Sequence, residues 1–242
     1  GPNGRNTWKQ LLEENILKKG TKTVWNDNCE MDGVEDRDAQ CDFEGKKGTM
    51  AELKILHSNL MAYTAKQALA DVYPGERPYI INRAGYAGIQ RYAQVWGGDN
   101  LTDWRTVKFN IATILGMGLS GCSNMGCDIG GFAGPAPEAE LLLRWLQNGI
   151  TVTQPWMYEE NLPYIRAAYQ LRYRLMPTLY SLMYESNQNG MPAWRPLFLE
   201  FPDDPKCYTD KNLTFMFGKS ILVANVVEKG ATTRTVYLPA GC

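Results

Sequence analysis

Apolar and polar residues alternate along this chain in two periods, one helical and one extended. Over residues 8–19, Trp8, Leu11, Leu12 and Ile16 recur at the spacing of one helical face, and Gly20 follows as a C-cap. The β-branched run Thr21, Thr23, Val24 then predicts a buried strand that gives way to Trp25, Asn26 and Asp27. An acidic stretch, residues 31–47, reads as a solvated loop. Residues 50–72 predict a second helix, with Leu53, Leu56, Leu60 and Tyr63 in register, closed by Pro74 and Gly75.

Pro78 opens a short apolar strand, Tyr79, Ile80, Ile81, ending on Asn82 and Arg83, and residues 91–96 predict another that runs into Gly97, Gly98 and Asp99. Thr102 or Asp103 caps a helix to Leu115, which the glycines at 116–121 are expected to break. A small-residue strand is expected at 121–124, followed by the glycine-rich turn Gly126, Cys127, Asp128, Ile129, Gly130, Gly131. That turn has neither the spacing of a dinucleotide loop nor a Walker lysine, so its glycines are expected to let backbone approach a ligand closely. Residues 137–148 predict a helix with Leu141, Leu142 and Trp145 inward. A longer one, 163–187, carries Tyr164, Ala168, Leu171, Leu175 and Leu179 on one stripe, with Pro177 as a kink point.

Beyond Pro192 the period changes. Short β-rich runs at 194–198, 213–217, 220–226 and 233–238 predict the start of an all-β module, with the boundary at 201–211. Up to that point strands and helices alternate, which is the order of a parallel α/β barrel or a doubly wound sheet. A whole eight-fold barrel takes roughly 250 residues. The expected organisation is therefore part of a barrel over residues 1–200 and the start of a β-sandwich over 201–242.

Composition narrows the partners. Lysine plus arginine number 25 and aspartate plus glutamate 26, so charge offers no pull toward nucleic acid or an anionic membrane, and a neutral partner such as a sugar fits. The cysteines are scattered without a Cys-x-x-Cys pair, and His57 is the sole histidine, a set unsuited to zinc. Free thiols in a reducing, cytoplasmic setting are expected, and no cofactor is. No apolar run reaches the length of a membrane span. The beginning at Gly1-Pro2 and the stop at Cys242 read as those of a piece of a longer protein, and an oligomer remains open.

Asp27, Asp99, Asp128 and Arg83 each follow an expected strand, where side chains of parallel α/β enzymes converge. Two carboxylates are what glycosidic hydrolysis needs: one protonates the leaving oxygen while the other attacks the anomeric carbon or activates water. Trp25, Trp96 and Phe132 offer faces for apolar sugar surfaces. The same aspartates also suit helix caps and loop ties, and Trp25 suits core packing.

The segments VWNDNCE, RPYIINRAGYAGIQRYAQVWGGDN and GCDIGGF, followed by ELLLRWLQNG, resemble glycoside hydrolase family 31, the α-glucosidase and α-xylosidase family, over nearly the whole chain. The resemblance implies a retaining, exo-acting α-glycosidase, an α-glucosidase by default, on about strands 4 to 8 of a (β/α)8 TIM barrel. It makes Asp27 the nucleophile after the fourth strand and Asp99 the acid/base after the sixth. Arg83, after the fifth, binds sugar hydroxyls and helps hold the nucleophile ionised, while Asp128, Trp25, Trp96 and Phe132 line the terminal-sugar subsite. The family string after the nucleophile is Met-Asn-Glu, whereas Asn28, Cys29 and Glu30 stand here, which makes Asn28 a candidate for selecting the sugar. A segment with the eighth strand and a sugar-binding histidine is expected between Gly149 and Thr151 and is absent, so Ile150 and Thr151 are expected not to be true neighbours. An α-galactosidase, an α-N-acetylgalactosaminidase, a transglycosylase and a non-catalytic carbohydrate-binding fragment remain as alternatives.

Overall fold

The computed structural model describes residues 1–31, 33, 35–148, 155–209 and 213–241, and the Ile150–Thr151 junction lies outside them. The chain divides into two compact units, Gly1–Trp96 and Gly97–Cys242.

In the first unit, helix α1 (Pro2–Asn15) and a 3-10 turn (Leu17–Lys19) end on Gly20, whose φ of 103° is the left-handed cap the sequence called for. The inward residues are Leu12 and Leu17. Leu11 and Ile16, expected on the buried face, are exposed, Ile16 at the junction of α1 with the 3-10 turn. Strand β1 (Thr23–Asn26) follows as expected, with Val24 and Asn26 buried. The acidic stretch is not only loop: Gln40–Phe43 (β2) and Lys46–Thr49 (β3) pair as an antiparallel hairpin whose strands are too polar to announce themselves.

Thr49 then starts short helix α2 (Met50–Leu53) with a reciprocal capping box to Glu52, and α3 (Ile55–Val72) continues it. The face of α3 that packs is Ala62, Ala65, Ala68 and Leu69 rather than the larger Leu56, Leu60 and Tyr63. Small side chains let the helix lie close to Val24 of β1 and Ile80 of β4 (Tyr79–Asn82), with which they share one core. Strand β4 pairs in parallel with β1 and with β5 (Gln94–Trp96). Arg91, expected as the start of β5, instead closes a 3-10 turn (Ile89–Arg91).

In the second unit, Asp103 caps helix α4 (Trp104–Leu119) by accepting from the Arg105 N–H at 2.8 Å. Gly116 and Gly118 lie inside α4 instead of ending it. Gly118 is there for contact, since a Cβ would stand 2.9 Å from that of Pro192. The next strand is β6 (Met125–Gly126), later than expected, and helix α5 (Ala139–Leu146) buries Leu141, Leu142 and Trp145 as its pattern requires. Helix α6 (Leu162–Asn189) runs through Pro177 to the left-handed Gly190. Its expected inward stripe is not buried: Tyr164, Ala168, Leu171, Leu175 and Leu179 line an open cavity of about 800 Å³ shared with α5 and residues 215–223. Strand β7 (Trp194–Pro196), short helix α7 (Leu197–Glu200), β8 (Phe215–Phe217) and β9 (Ile221–Val223) complete the unit, the three strands forming an antiparallel sheet. Residues 233–238, read as a strand, form none.

Arg195 of β7 is wholly enclosed, donating to Glu185 of α6 at 2.8 Å, to Glu200 of α7 at 2.5 Å and to the Pro192 carbonyl at 2.8 Å. A cation stripped of water is tolerated only while those acceptors surround it. Arg195→Met is expected to lower the stability of this unit by about 3–5 kcal/mol, read as a drop in the urea midpoint.

Candidate functional site

The first group of candidate residues is built by strand register. Strands β1 and β4 run parallel with Asn26 opposite Asn82, so the next residues, Asp27 and Arg83, emerge side by side. The register is held by a buried amide pair: Asn26 Nδ2 donates to Asn82 Oδ1 at 2.7 Å, and Asn82 Nδ2 donates to the carbonyls of Ser58 and Ala84. The Arg83 N–H reaches back to the Asn26 carbonyl at 3.0 Å. Beneath the loop the Cys29 thiol is buried, accepting from the Ala84 N–H at 3.3 Å, and burial pushes its pKa up. The Cys29 carbonyl is held by His57 Nδ1 at 3.0 Å, and a carbonyl only accepts, so that nitrogen carries the proton.

On this base the two oxygens of Asp27 are treated unequally. Oδ1 accepts from the Asn28 N–H at 2.8 Å and from Arg83 Nη1 at 3.2 Å. Oδ2 has no such donor among the described residues, and the side chain is half exposed. Arg83 Nη1 also reaches Asn28 Oδ1 at 3.3 Å, while its Nε donates to Glu30 at 2.8 Å. One guanidinium therefore serves Asp27, Asn28 and Glu30 together. Trp25 is exposed and meets the edge of Trp96 at 5.0 Å between centroids, with Trp96 itself buried.

The second group lies in the other unit, on two loops laced by backbone. The Asn100 carbonyl accepts from the N–H groups of Phe132 and Ala133, the Thr102 N–H donates to the Ala133 carbonyl, and Thr102 Oγ1 donates to that of Gly130. Asn100 turns its own amide back onto the carbonyls of Gly97 and Gly98, which fixes the loop bearing Asp99. The lacing leaves no room at Gly131: its φ is +82°, and a Cβ would stand 2.4 Å from Thr102 Oγ1. Asp99 and Phe132 are exposed on these loops, and Asp128 is buried at their base.

Trp25, Asp27, Asn28, Arg83 and Trp96 thus belong to the first group, and Asp99, Asp128 and Phe132 to the second. Glu30, His57 and the Asn26–Asn82 pair were not singled out by the sequence. The amides could have been: each is the last residue of a strand, on its buried face. A carboxylate with one oxygen tied by two donors and the other without one among the described residues, beside an arginine, has a geometry suited to a nucleophile or a base.

The fold and these strand-end carboxylates define a partial parallel α/β barrel of the TIM type followed by an antiparallel β region. The description "Glycosyl hydrolases family 31 TIM-barrel domain" matches residues 1–182, and "Glycosyl hydrolase family 31 C-terminal domain" matches 190–242. The chain belongs to glycoside hydrolase family 31. It is 35% identical over 259 residues to a probable glucan 1,3-alpha-glucosidase of Oryza sativa subsp. japonica, covering 98% of this chain and 28% of that protein. It is 41% identical over 224 residues to the Homo sapiens neutral alpha-glucosidase C, covering 81% and 24%. A Flavobacterium johnsoniae family 31 dextranase complexed with glucose superposes with a TM-score of 0.88 at 29% identity, over 99% of this chain and 32% of that one. A soil-metagenome α-xylosidase complexed with xylose gives 0.88 at 28% identity, over 100% and 41%. The chain spans about a quarter to two fifths of the length of these relatives.

Between β6 and Asp128 stands Cys127, whose thiol burial pushes up to about 11 from an ordinary 9.0, the charge of Asp128 adding to the effect. A thiol that ionises later in the folded state stabilises the fold below the unfolded pKa and loses that contribution as pH rises through the folded one. Stability is expected to fall by about 2–3 kcal/mol between roughly pH 9 and 11. Cys127→Ala should flatten most of that limb in urea midpoints measured against pH.

Proposed function

We infer that the complete polypeptide carrying this chain is a retaining, exo-acting α-glycoside hydrolase, with a terminal α-glucoside as substrate. The observation that carries it is the asymmetry at Asp27: Oδ1 is fixed by the Asn28 N–H and Arg83, while Oδ2 has no donor among the described residues and the side chain is half exposed. Names of the relatives support the sugar class, since the rice and human proteins are α-glucosidases by description.

In this reading Asp27 Oδ2 attacks the anomeric carbon as the bond to the leaving oxygen breaks, and Asp99 protonates that oxygen. Asp99, now ionised, takes a proton from water, which displaces Asp27 and returns the sugar with its original configuration. Arg83 holds Asp27 Oδ1, and its reach to Asn28 gives the loop a donor and acceptor at the edge of the sugar. Asp128, Trp25, Trp96 and Phe132 complete the terminal-sugar subsite, Trp25 and Phe132 through their exposed rings.

Aryl α-glycosides of several sugars, assayed with the full-length protein, test this. Asp27→Ala is expected to reduce turnover to background on all of them. Asp99→Ala should cost roughly 10²–10⁴-fold on poor leaving groups and much less on activated ones, because only the former need a proton. Product anomers followed by NMR should show retention. Wild-type turnover by Asp27→Ala, or inverted product, would refute the assignment.

A further inference from the structure

Arg83 is held more firmly by Glu30 than by Asp27. The Nε–Oε1 contact to Glu30 is 2.8 Å against 3.2 Å from Nη1 to Asp27, and the Glu30 side chain is 19% exposed against 55% for Asp27. Oε2 of Glu30 is enclosed without a hydrogen-bond partner among the described residues, so this carboxylate is compensated through Oε1 and the guanidinium. Arginine forks readily onto a carboxylate with two parallel N–H bonds. Such a clamp on Asp27 would tie down Oδ2 as well as Oδ1 and drain charge from the attacking oxygen. In the structure Arg83 Nη1 meets Asp27 at Oδ1, 3.2 Å away.

We propose that Glu30 is a positioning residue that works through Arg83, anchoring the guanidinium and taking up part of its charge so that Asp27 keeps a free, electron-rich Oδ2. The idea rests on Asp27 being the nucleophile. Glu30 touches no substrate atom in this scheme. Its removal lets Arg83 swing toward the forked clamp, which makes Asp27 a poorer nucleophile and, once glycosylated, a better leaving group. The two chemical steps should therefore respond in opposite senses.

The experiment compares wild type, Glu30→Gln, Glu30→Asp and Asp27→Ala in the full-length protein, with circular dichroism as the check on folding. The probes are aryl α-glucosides with poor and activated leaving groups. On poor leaving groups, where formation of the glycosyl-enzyme limits the rate, E30Q should lose roughly 10- to 100-fold in kcat, the size of one charge-assisted contact, with KM nearly unchanged. On activated ones, where hydrolysis of that intermediate limits, kcat should hold or rise, and E30D should regain part of the lost rate. Equal loss on both substrates with no recovery by E30D would mean a merely structural role and overturn the proposal, as would wild-type rates in E30Q. If E30Q does not fold, E30D decides by the same ratio of the two substrates. Turnover surviving in Asp27→Ala would instead defeat the assignment of the nucleophile itself.

Discussion

Two buried amides fix the chemistry end of the first unit. Parallel strands could slip past one another by a residue and still pair, but a slip here would break the Asn26–Asn82 hydrogen bond and leave two desolvated amides unsatisfied. It would also turn Asp27 and Arg83 to opposite faces. The polar pair thus trades some core stability for a single register, and the register sets which side chains stand beside each other past the strand ends. Arg83, Glu30, Asn28 and the thiol of Cys29 all elaborate on that placement.

The second unit reaches a comparable precision by another route. Its strand β6 is only two residues long, so the loops around Asn100 and Gly131 are fixed by carbonyl and N–H groups exchanged directly between them. Backbone lacing of this kind excludes side chains, and the left-handed Gly131 against Thr102 is its mark. Further along, the enclosed Arg195 ties α6, β7 and α7.

Sequence pattern located β1, β4, α5 and the switch to β-structure after Pro192, because each has an apolar run bounded by breakers. It placed Asp27 just past β1 and Arg83 just past β4. It missed the β2–β3 hairpin, whose strands carry Lys46, Lys47 and Asp42 and bury no residue fully. On α3 it chose the large residues as the packed face, whereas close approach to the sheet selects alanines. On α6 it took an apolar stripe as buried that instead faces an open cavity, because periodicity marks a face without saying what covers it. Glu30 escaped notice for a different reason: its value lies in a through-space contact with Arg83, 53 positions on, and no local spacing announces that.

The backbone at Asn28 turns left-handed, with φ at 50°, directly after Asp27. Asparagine tolerates that conformation, whereas a β-branched residue does not. Position 28 is therefore doubly committed, to a chain reversal and to the amide oxygen that Arg83 touches. Attempts to retune sugar preference by enlarging this side chain would be working against the bend that aims the neighbouring carboxylate, so variation in selectivity is more freely available to residues that line the pocket without shaping its chain path.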